Sequence, residues 1–403
     1  MGRYISLGEY NKFYNYIWSY TAIKFISSVL FYVFNLIRHI LISLQFKYIA
    51  FIIISIIILL INNCRKKKVS NTDMNEEKLI FNKHDTSQEF GVSQKDYFLF
   101  INLFFVILLD LFEDIIYLFN CSMFDFWMFE MLFFELMNSK FFKTKIYKHH
   151  IYSFVFILSF CSIINVISLI IIFSNDTNES IFFEDKKWLI PVAIIIYFLY
   201  HIFRAYTYCN EKYYLEKRVI SITNYLLIYG IFGFIASSIC AIVSSFVPCG
   251  DDNNMTEFSQ IICIYKDNNG KYYFCNYSLY IKELSSKKLS LRVTIGIIYM
   301  ILNYVGTYNI YVIYKKLNPI YYICAKRLDG LFISVFLTIF ILGQIDNIPD
   351  LWITLSVLEI INFLLYIIGS IVYLEFIELN FYNLNYYTKK NIRERAKTEI
   401  TVR

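Results

Sequence analysis

Charge and histidine are scarce in this chain. Only 17% of its 403 residues are charged while 58% are hydrophobic, and the mean hydropathy is +0.50. That leaves too little polar surface to coat a soluble globule of this size. Five histidines are too few for the di-metal centre of a membrane oxygenase or desaturase. There is no phosphate-binding glycine loop, nucleophile elbow or Cys-x-x-Cys pair, so the usual signatures of nucleotide hydrolases, serine hydrolases and thiol oxidoreductases are missing. No enzyme is expected, and no cofactor or metal is implied. An intramembrane hydrolase built on a pair of acids is the one enzymatic route left open. Four prolines set against abundant Ile, Asn, Lys, Tyr and Phe also match the codon bias of an AT-rich genome, so aromatic abundance alone says little.

What the chain has instead is a series of long apolar runs. Ile151 to Phe173, Trp188 to Tyr206, Val219 to Val247, Leu291 to Tyr314 and Leu351 to Tyr373 are each long enough to cross about 30 Å of hydrocarbon as helices. The expected class is therefore an all-α polytopic membrane protein whose first partner is the lipid bilayer. The net charge of +6 does not point to nucleic acid, because the basic residues cluster beside apolar runs, where they report topology.

The connections alternate in sign. Lys140, Lys143, Lys145 and Lys148 precede the run at Ile151, whereas Ser174 to Asp185 is acidic and carries glycosylation sequons at Asn175 and Asn178. The first side reads as cytosolic and the second as luminal or external. Lys212, Lys217 and Arg218 return inside, and Gly250 to Ser290 lies outside with sequons at Asn254 and Asn276. Lys315 and Lys316 are inside, Asp346 and Asp350 outside, and the tail from Lys389 to Arg395 inside. Six crossings thus follow His150.

Upstream, Tyr97 to Phe119 and Met123 to Met137 read as a hairpin turning at Asn120 to Ser122. Phe25 to Leu44 and Tyr48 to Ile61 precede it. Counting both gives about ten helices with both termini cytosolic; an interfacial first segment would give nine. The implied organisation is a cytosolic segment 1–24, a membrane domain 25–379 with a cytosolic loop 63–96 and a luminal Cys-bearing loop 249–290, and a basic cytosolic tail 380–403. Gly2 stands in a myristoylation-like start, which fits a cytosolic N-terminus. Neither a cleavable signal peptide nor a transit peptide is evident. Cys249, Cys263 and Cys275 all fall in the long luminal loop, where an oxidising compartment permits one disulfide and leaves one thiol over; spacing does not say which.

Ionisable side chains inside apolar spans are costly and mark candidate pathways. Asp110 lies about ten residues before the hairpin tip and Glu130 about ten after it, hence at similar depth by helix rise. Glu359, about nine residues in from Asp350, reaches nearly the same level. Three acids on three helices at one depth are expected to line a cavity for a cation, a proton or a basic group. Arg204 and Arg327 are the candidate counter-charges for an anionic substrate group. The structural alternative is that each acid bonds a local partner and holds helices together. His201, one turn from Arg204, reads as structural or interfacial, and the His149–His150 pair as part of a basic interfacial loop. Gly230, Gly233, Ser237, Ala241 and Ser245 recur at three- and four-residue spacing, a pattern that lets helices approach closely.

The hairpin with Leu109-Asp110, the run Phe124 to Met137, and Lys143-Thr144-Lys145-Ile146-Tyr147-Lys148-His149-His150 leading into another apolar helix together resemble the third-to-fifth helix region of the drug/metabolite transporter superfamily (EamA-like). That superfamily includes the parasite chloroquine resistance transporters and uncharacterised protist members. Tyr366 to Tyr373 with its basic tail is similar to the family's last helix, and the Cys-bearing loop resembles that of the parasite proteins. The resemblance implies ten helices in two inverted five-helix halves and solute transport by alternating access. A secondary-active carrier of a small polar or charged metabolite, coupled to protons through the acids, is the function expected. A serpentine receptor of about seven spans and a non-transporting scaffold are the competing classes.

Overall fold

The structure is a computed structural model that describes residues 15–27, 40–72, 97–118, 127–144, 146–174, 189–216, 220–251, 263, 265–266, 270–275, 277, 289–344 and 350–375. These residues are predominantly helical. A helix α1 covers 15–27. It is followed by α2 (Ile40–Thr72), α3 (Tyr97–Leu118), α4 (Trp127–Phe142), α5 (Lys148–Ser174), α6 (Leu189–Glu216) and α7 (Ile222–Phe246). Three short strands come next, β1 (Gly250–Asp251), β2 (Tyr265–Lys266) and β3 (Lys271–Tyr273), and then α8 (Leu289–Lys316), α9 (Pro319–Gln344) and α10 (Asp350–Tyr373). Among the described residues, five helices carry segments long and apolar enough to cross a membrane: Leu41–Cys64, Lys148–Ile171, Ile222–Phe246, Val293–Lys316 and Ile353–Tyr373.

Helix ends follow local chemistry. Ser221 caps α7 by accepting the Asn224 N–H at 3.1 Å, which satisfies one of the orphan donors of the first turn. Between α8 and α9 the chain breaks at Leu317-Asn318-Pro319. There the Asn318 side-chain Oδ1 accepts the Ile320 N–H at 3.5 Å, and Pro319 opens α9 where a missing N–H costs nothing. Just beyond α4, Lys143 takes a left-handed φ of 52°, a conformation that commonly ends a helix.

The early boundaries differ from the sequence expectation. Leu44 and Tyr48 were assigned to separate spans, yet both lie on the unbroken α2, and α1 runs across the boundary placed after residue 24. Gln45 and Lys47 suggested a break because they are polar. Instead they turn inward to partners: Gln45 bonds Ser238 at 3.4 Å and Tyr277, and Lys47 bonds Asp110 at 2.7 Å. The hairpin tip at Asn120 to Ser122, the tail 380–403, Gly2, and Asn175, Asn178, Asn254 and Asn276 lie outside the described residues.

Packing is dominated by helices far apart in sequence. α2 lies along α7, α5 along α10, and α4 along α6; α9 packs on α10, α8 on α2, and α3 on α6. Weaker contacts join α3 to α7, α4 to α5, and α4 to α9. α1 meets α9 through Tyr20–Tyr322 and Phe25–Phe336 edge contacts at 5.4 and 5.9 Å. It meets α8 where Lys316 sits 5.3 Å from the Tyr16 ring. The exterior is apolar, with Ile53, Ile57, Val155, Ile163, Ile239 and Ile297 exposed, whereas Asp110, Glu130, His201 and Lys326 are buried. Such an inside-polar, outside-apolar arrangement suits a lipid solvent.

Glycine sets the closest helix approach. A Cβ at Gly233 would lie 2.4 Å from the Tyr48 ring, and one at Gly230 would lie 2.9 Å from Phe51 Cβ and 3.0 Å from the Tyr48 carbonyl oxygen. Gly233→Ala is expected to force the α2–α7 contact apart at a cost of about 1–3 kcal/mol, the usual penalty of overpacking. Thermal unfolding of the purified protein in detergent checks this; an unchanged midpoint would contradict the close approach.

The loop after α7 folds on itself and onto the helix ends. β1 and β2 flank β3, both antiparallel, with Gly250 opposite Tyr272 and Tyr265 opposite Tyr273. Cys249 and Cys263 form a disulfide, and Cys275 is a buried thiol packed with Leu41, Ile42 and Ala241. Burial pushes the Cys275 thiol up to about 11, which keeps it protonated and unreactive at neutral pH.

Candidate functional site

Two acids one turn apart on α3 and two bases one turn apart on α6 form the core of the site. Asp110 and Glu113 share a face of α3, as do His201 and Arg204 on α6, because residues three apart are neighbours on a helix. Arg204 reaches both carboxylates, with Nη1 3.4 Å from Asp110 Oδ1 and Nη2 3.3 Å from Glu113 Oε2. Lys47 of α2 bonds Asp110 Oδ2 at 2.7 Å, and Lys326 of α9 bonds Glu113 Oε1 at 3.1 Å. Three bases therefore face two acids in one buried cluster contributed by four helices.

Tyrosine hydroxyls complete the shell. Tyr48 and Tyr229 both donate to Asp110, and Tyr200 donates to Glu113 at 2.9 Å. Arg204 also donates to the Tyr208 oxygen at 3.2 Å and lies 5.4 Å from that ring. Each carboxylate thus gains both charged and neutral donors, which a buried ion needs if it is to stay ionised. Beneath this shell, Tyr208, Tyr314 and Tyr322 pack edge-to-face at 5.5–5.7 Å, placing an aromatic floor between α6, α8 and α9.

Glu130 of α4 lies beside this cluster and pairs with His201. Its Oε2 lies 2.7 Å from His201 Nδ1, and both side chains are fully buried. Tyr197 and Tyr200 hold the imidazole edge-on at 4.6 and 5.1 Å. A carboxylate on one ring nitrogen fixes the ring orientation and can share a proton with it.

The structure changes the expected roles of several residues. Asp110 and Glu130 are not bare acids lining a hollow; each is engaged by bases, and by different ones. The physical reason is that an ionised carboxylate away from water needs compensating charge and donors. Arg204, expected as a counter-charge for an anionic substrate group, is wedged between Asp110 and Glu113. Glu113 is part of the same cluster, and so is Lys326. His201, expected to be structural or interfacial, is buried on Glu130. Glu359 lies half-buried on α10, a helix packed against α5 and α9, whereas the partners of Asp110 come from α2, α6 and α7. Arg327 falls in α9, but its side chain lies outside the described residues. The signal that could have found the pairing is the matched three-residue spacing of Asp110 and Glu113 in one segment and His201 and Arg204 in another.

A second polar unit sits further along α6. Glu211 accepts from Tyr225 of α7 at 3.3 Å and from Tyr311 of α8 at 3.0 Å, while Lys212 lies 4.6 Å from the Phe142 ring of α4. On the other side of the bundle, Asn362 of α10 donates to Asn165 of α5 at 3.2 Å. No protein-family model matches the chain, and comparison with curated proteins finds no significant match.

Proposed function

We propose that the chain is a secondary-active solute carrier that moves a small charged metabolite across a membrane by alternating access, with a coupling proton. One observation carries this reading: the acids of α3 and α4 find bases on α6 and α9. Arg204 and Lys326 pair with Asp110 and Glu113, and His201 pairs with Glu130. Charges meeting across a seam are a poor way to stabilise a static core, where apolar residues of similar volume do as well or better. They suit a contact that must open and re-form.

The helix contacts support two halves, α1–α5 and α6–α10, related by an offset of five. α2 pairs with α7 and α5 with α10, each the counterpart of the other. The α3–α7 contact matches α8–α2, α4–α5 matches α9–α10, α4–α6 matches α9–α1, and α3–α6 matches α8–α1. Such repetition of contacts is what an internally repeated carrier displays, with its binding site at the interface of the repeats. It fits the ten spans and the inverted halves that the resemblance to drug/metabolite transporters implies. The planar fork of Arg204, which already grips two carboxylates, suits a solute bearing a carboxylate or phosphate.

Ten spans put both termini on one side of the membrane, and the basic connections make that side the cytosol. Protease protection of terminal tags, combined with glycosylation mapping at Asn175 and Asn254, checks this. Both tags exposed to the cytosol, with these sequons modified, is the expected outcome. Tags on opposite sides of the membrane would contradict it and favour a receptor of about seven spans.

A further inference from the structure

A second cluster lies at the end of the bundle that carries Lys140, Lys143 and Lys148, separate from the charge seam. His149 and His150, in the first turn of α5, face Glu375, just beyond α10. One ligand atom from each of the three lies within 4.8 Å of the others. From these side chains we infer a binding site for a divalent metal ion of the zinc class, formed by His149, His150 and Glu375.

Three features support the assignment. Burial comes first: His149 and His150 are 3% and 1% exposed, which is unusual for two adjacent imidazoles in a basic segment. His149 Nε2 lies 2.9 Å from Glu375 Oε1 but out of line for a hydrogen bond, and among the described residues neither buried ring nitrogen of His149 has a hydrogen-bond partner. The contact with Glu375 therefore leaves the imidazole unsatisfied, a cost that the pair alone does not remove.

The second feature is preorganisation. Glu375 takes a left-handed φ of 62° just past the end of α10, where its N–H bonds the Val372 carbonyl oxygen at 3.1 Å; this helix-ending turn fixes where its side chain starts. Tyr373 stacks on the His150 ring at 4.3 Å and Tyr147 lies parallel to the His149 ring at 6.0 Å, so both imidazoles have fixed orientations. Fixed ring orientation is what a metal ligand obtains from its surroundings.

Donor chemistry is the third. Two imidazoles and a carboxylate are the set that zinc takes with one position left for water, whereas magnesium and calcium prefer oxygen. Ligand atoms around zinc sit about 3.3 Å apart for metal–ligand distances near 2.0–2.1 Å. The 2.9 Å contact would open slightly on binding and the wider ones would close. His150 Nδ1 accepts the Tyr147 N–H at 3.4 Å, a long bond that leaves Nε2 as the protonated nitrogen. Metal binding through either nitrogen releases that bond or that proton, so occupancy should rise with pH. Because the ligands come from the start of α5 and the end of α10, a bound ion would clamp these two helices together.

The test uses the full-length chain, purified in detergent without a histidine tag and titrated with Zn²⁺, with Co²⁺ as a spectroscopic probe. Wild type is expected to hold about one ion per chain through dialysis, to show Co²⁺ absorption bands of low coordination number, and to unfold at higher temperature with Zn²⁺ than with EDTA. Glu375→Gln, nearly isosteric, should lower affinity by more than about 100-fold, beyond what loss of an outer-shell partner costs. His149→Ala should do the same. Folded, monodisperse wild type that retains no ion, or equal retention by folded Glu375→Gln, would overturn the assignment. Because the readout is metal content, the result does not depend on whether the chain transports a solute.

Discussion

Arg204→Ala is expected to abolish solute uptake and to destabilise the chain by about 3–5 kcal/mol, the cost of removing one partner from a buried ion pair. The guanidinium touches both α3 acids, with one terminal nitrogen on each. Without it, Asp110 keeps Lys47 and Glu113 keeps Lys326, but the link between the two pairs is gone. Low expression could by itself explain lost uptake, so Arg204→Lys is the informative companion. An ammonium keeps the charge but has no planar fork to span two carboxylates. It should fold nearly as well as wild type, by size exclusion and thermal unfolding, and still transport at least tenfold more slowly. Full uptake by a folded Arg204→Lys protein would make the cluster a structural filler.

Glu130→Gln is expected to leave the protein folded and to uncouple it. The amide fills the same volume and can still bond His201, so the packing of α4 on α6 survives. What it cannot do is share a proton with the imidazole across 2.7 Å. Uptake driven by a pH gradient should fall by at least tenfold, while exchange of solute between equal concentrations continues. His201→Asn should give the same split. If gradient-driven uptake and its pH dependence both match wild type, the proton travels elsewhere.

The sequence and the structure agree best where a property is local. The runs Ile151 to Phe173, Val219 to Val247, Leu291 to Tyr314 and Leu351 to Tyr373 lie close to the span segments of α5, α7, α8 and α10, because hydropathy over about 20 residues is read one helix at a time. Polar residues inside helices were harder. Lys47 resembled a loop residue, since its partner is 63 positions away and a lone lysine within an apolar run usually marks an end. The extent of α6 was underestimated in the same way: the run was ended at Tyr206, but the helix continues to Glu216, with Glu211 satisfied by tyrosines of α7 and α8.

Asp110, Glu130 and Arg204 were identifiable because a charge inside an apolar run is rare and costly. Their partners were not, since depth along a helix says nothing about rotation around it. Asp110 and Glu130 share a level but face different bases. The same limit applies to the paired histidines, whose basic neighbours suggested an interface until Glu375 was found beside them.

The central claim is that solute movement depends on the charges that join α3 and α4 to α6 and α9. Uptake into proteoliposomes tests it most directly, using a panel of radiolabelled organic acids, sugar phosphates, amino acids and organic cations, with and without an inward proton gradient. The expected result is that at least one anionic solute enters faster than in protein-free liposomes, that the gradient accelerates it, and that Arg204→Lys loses most of the flux. Uptake equal to protein-free liposomes across the whole panel, or equal for wild type and Arg204→Lys, would contradict the account.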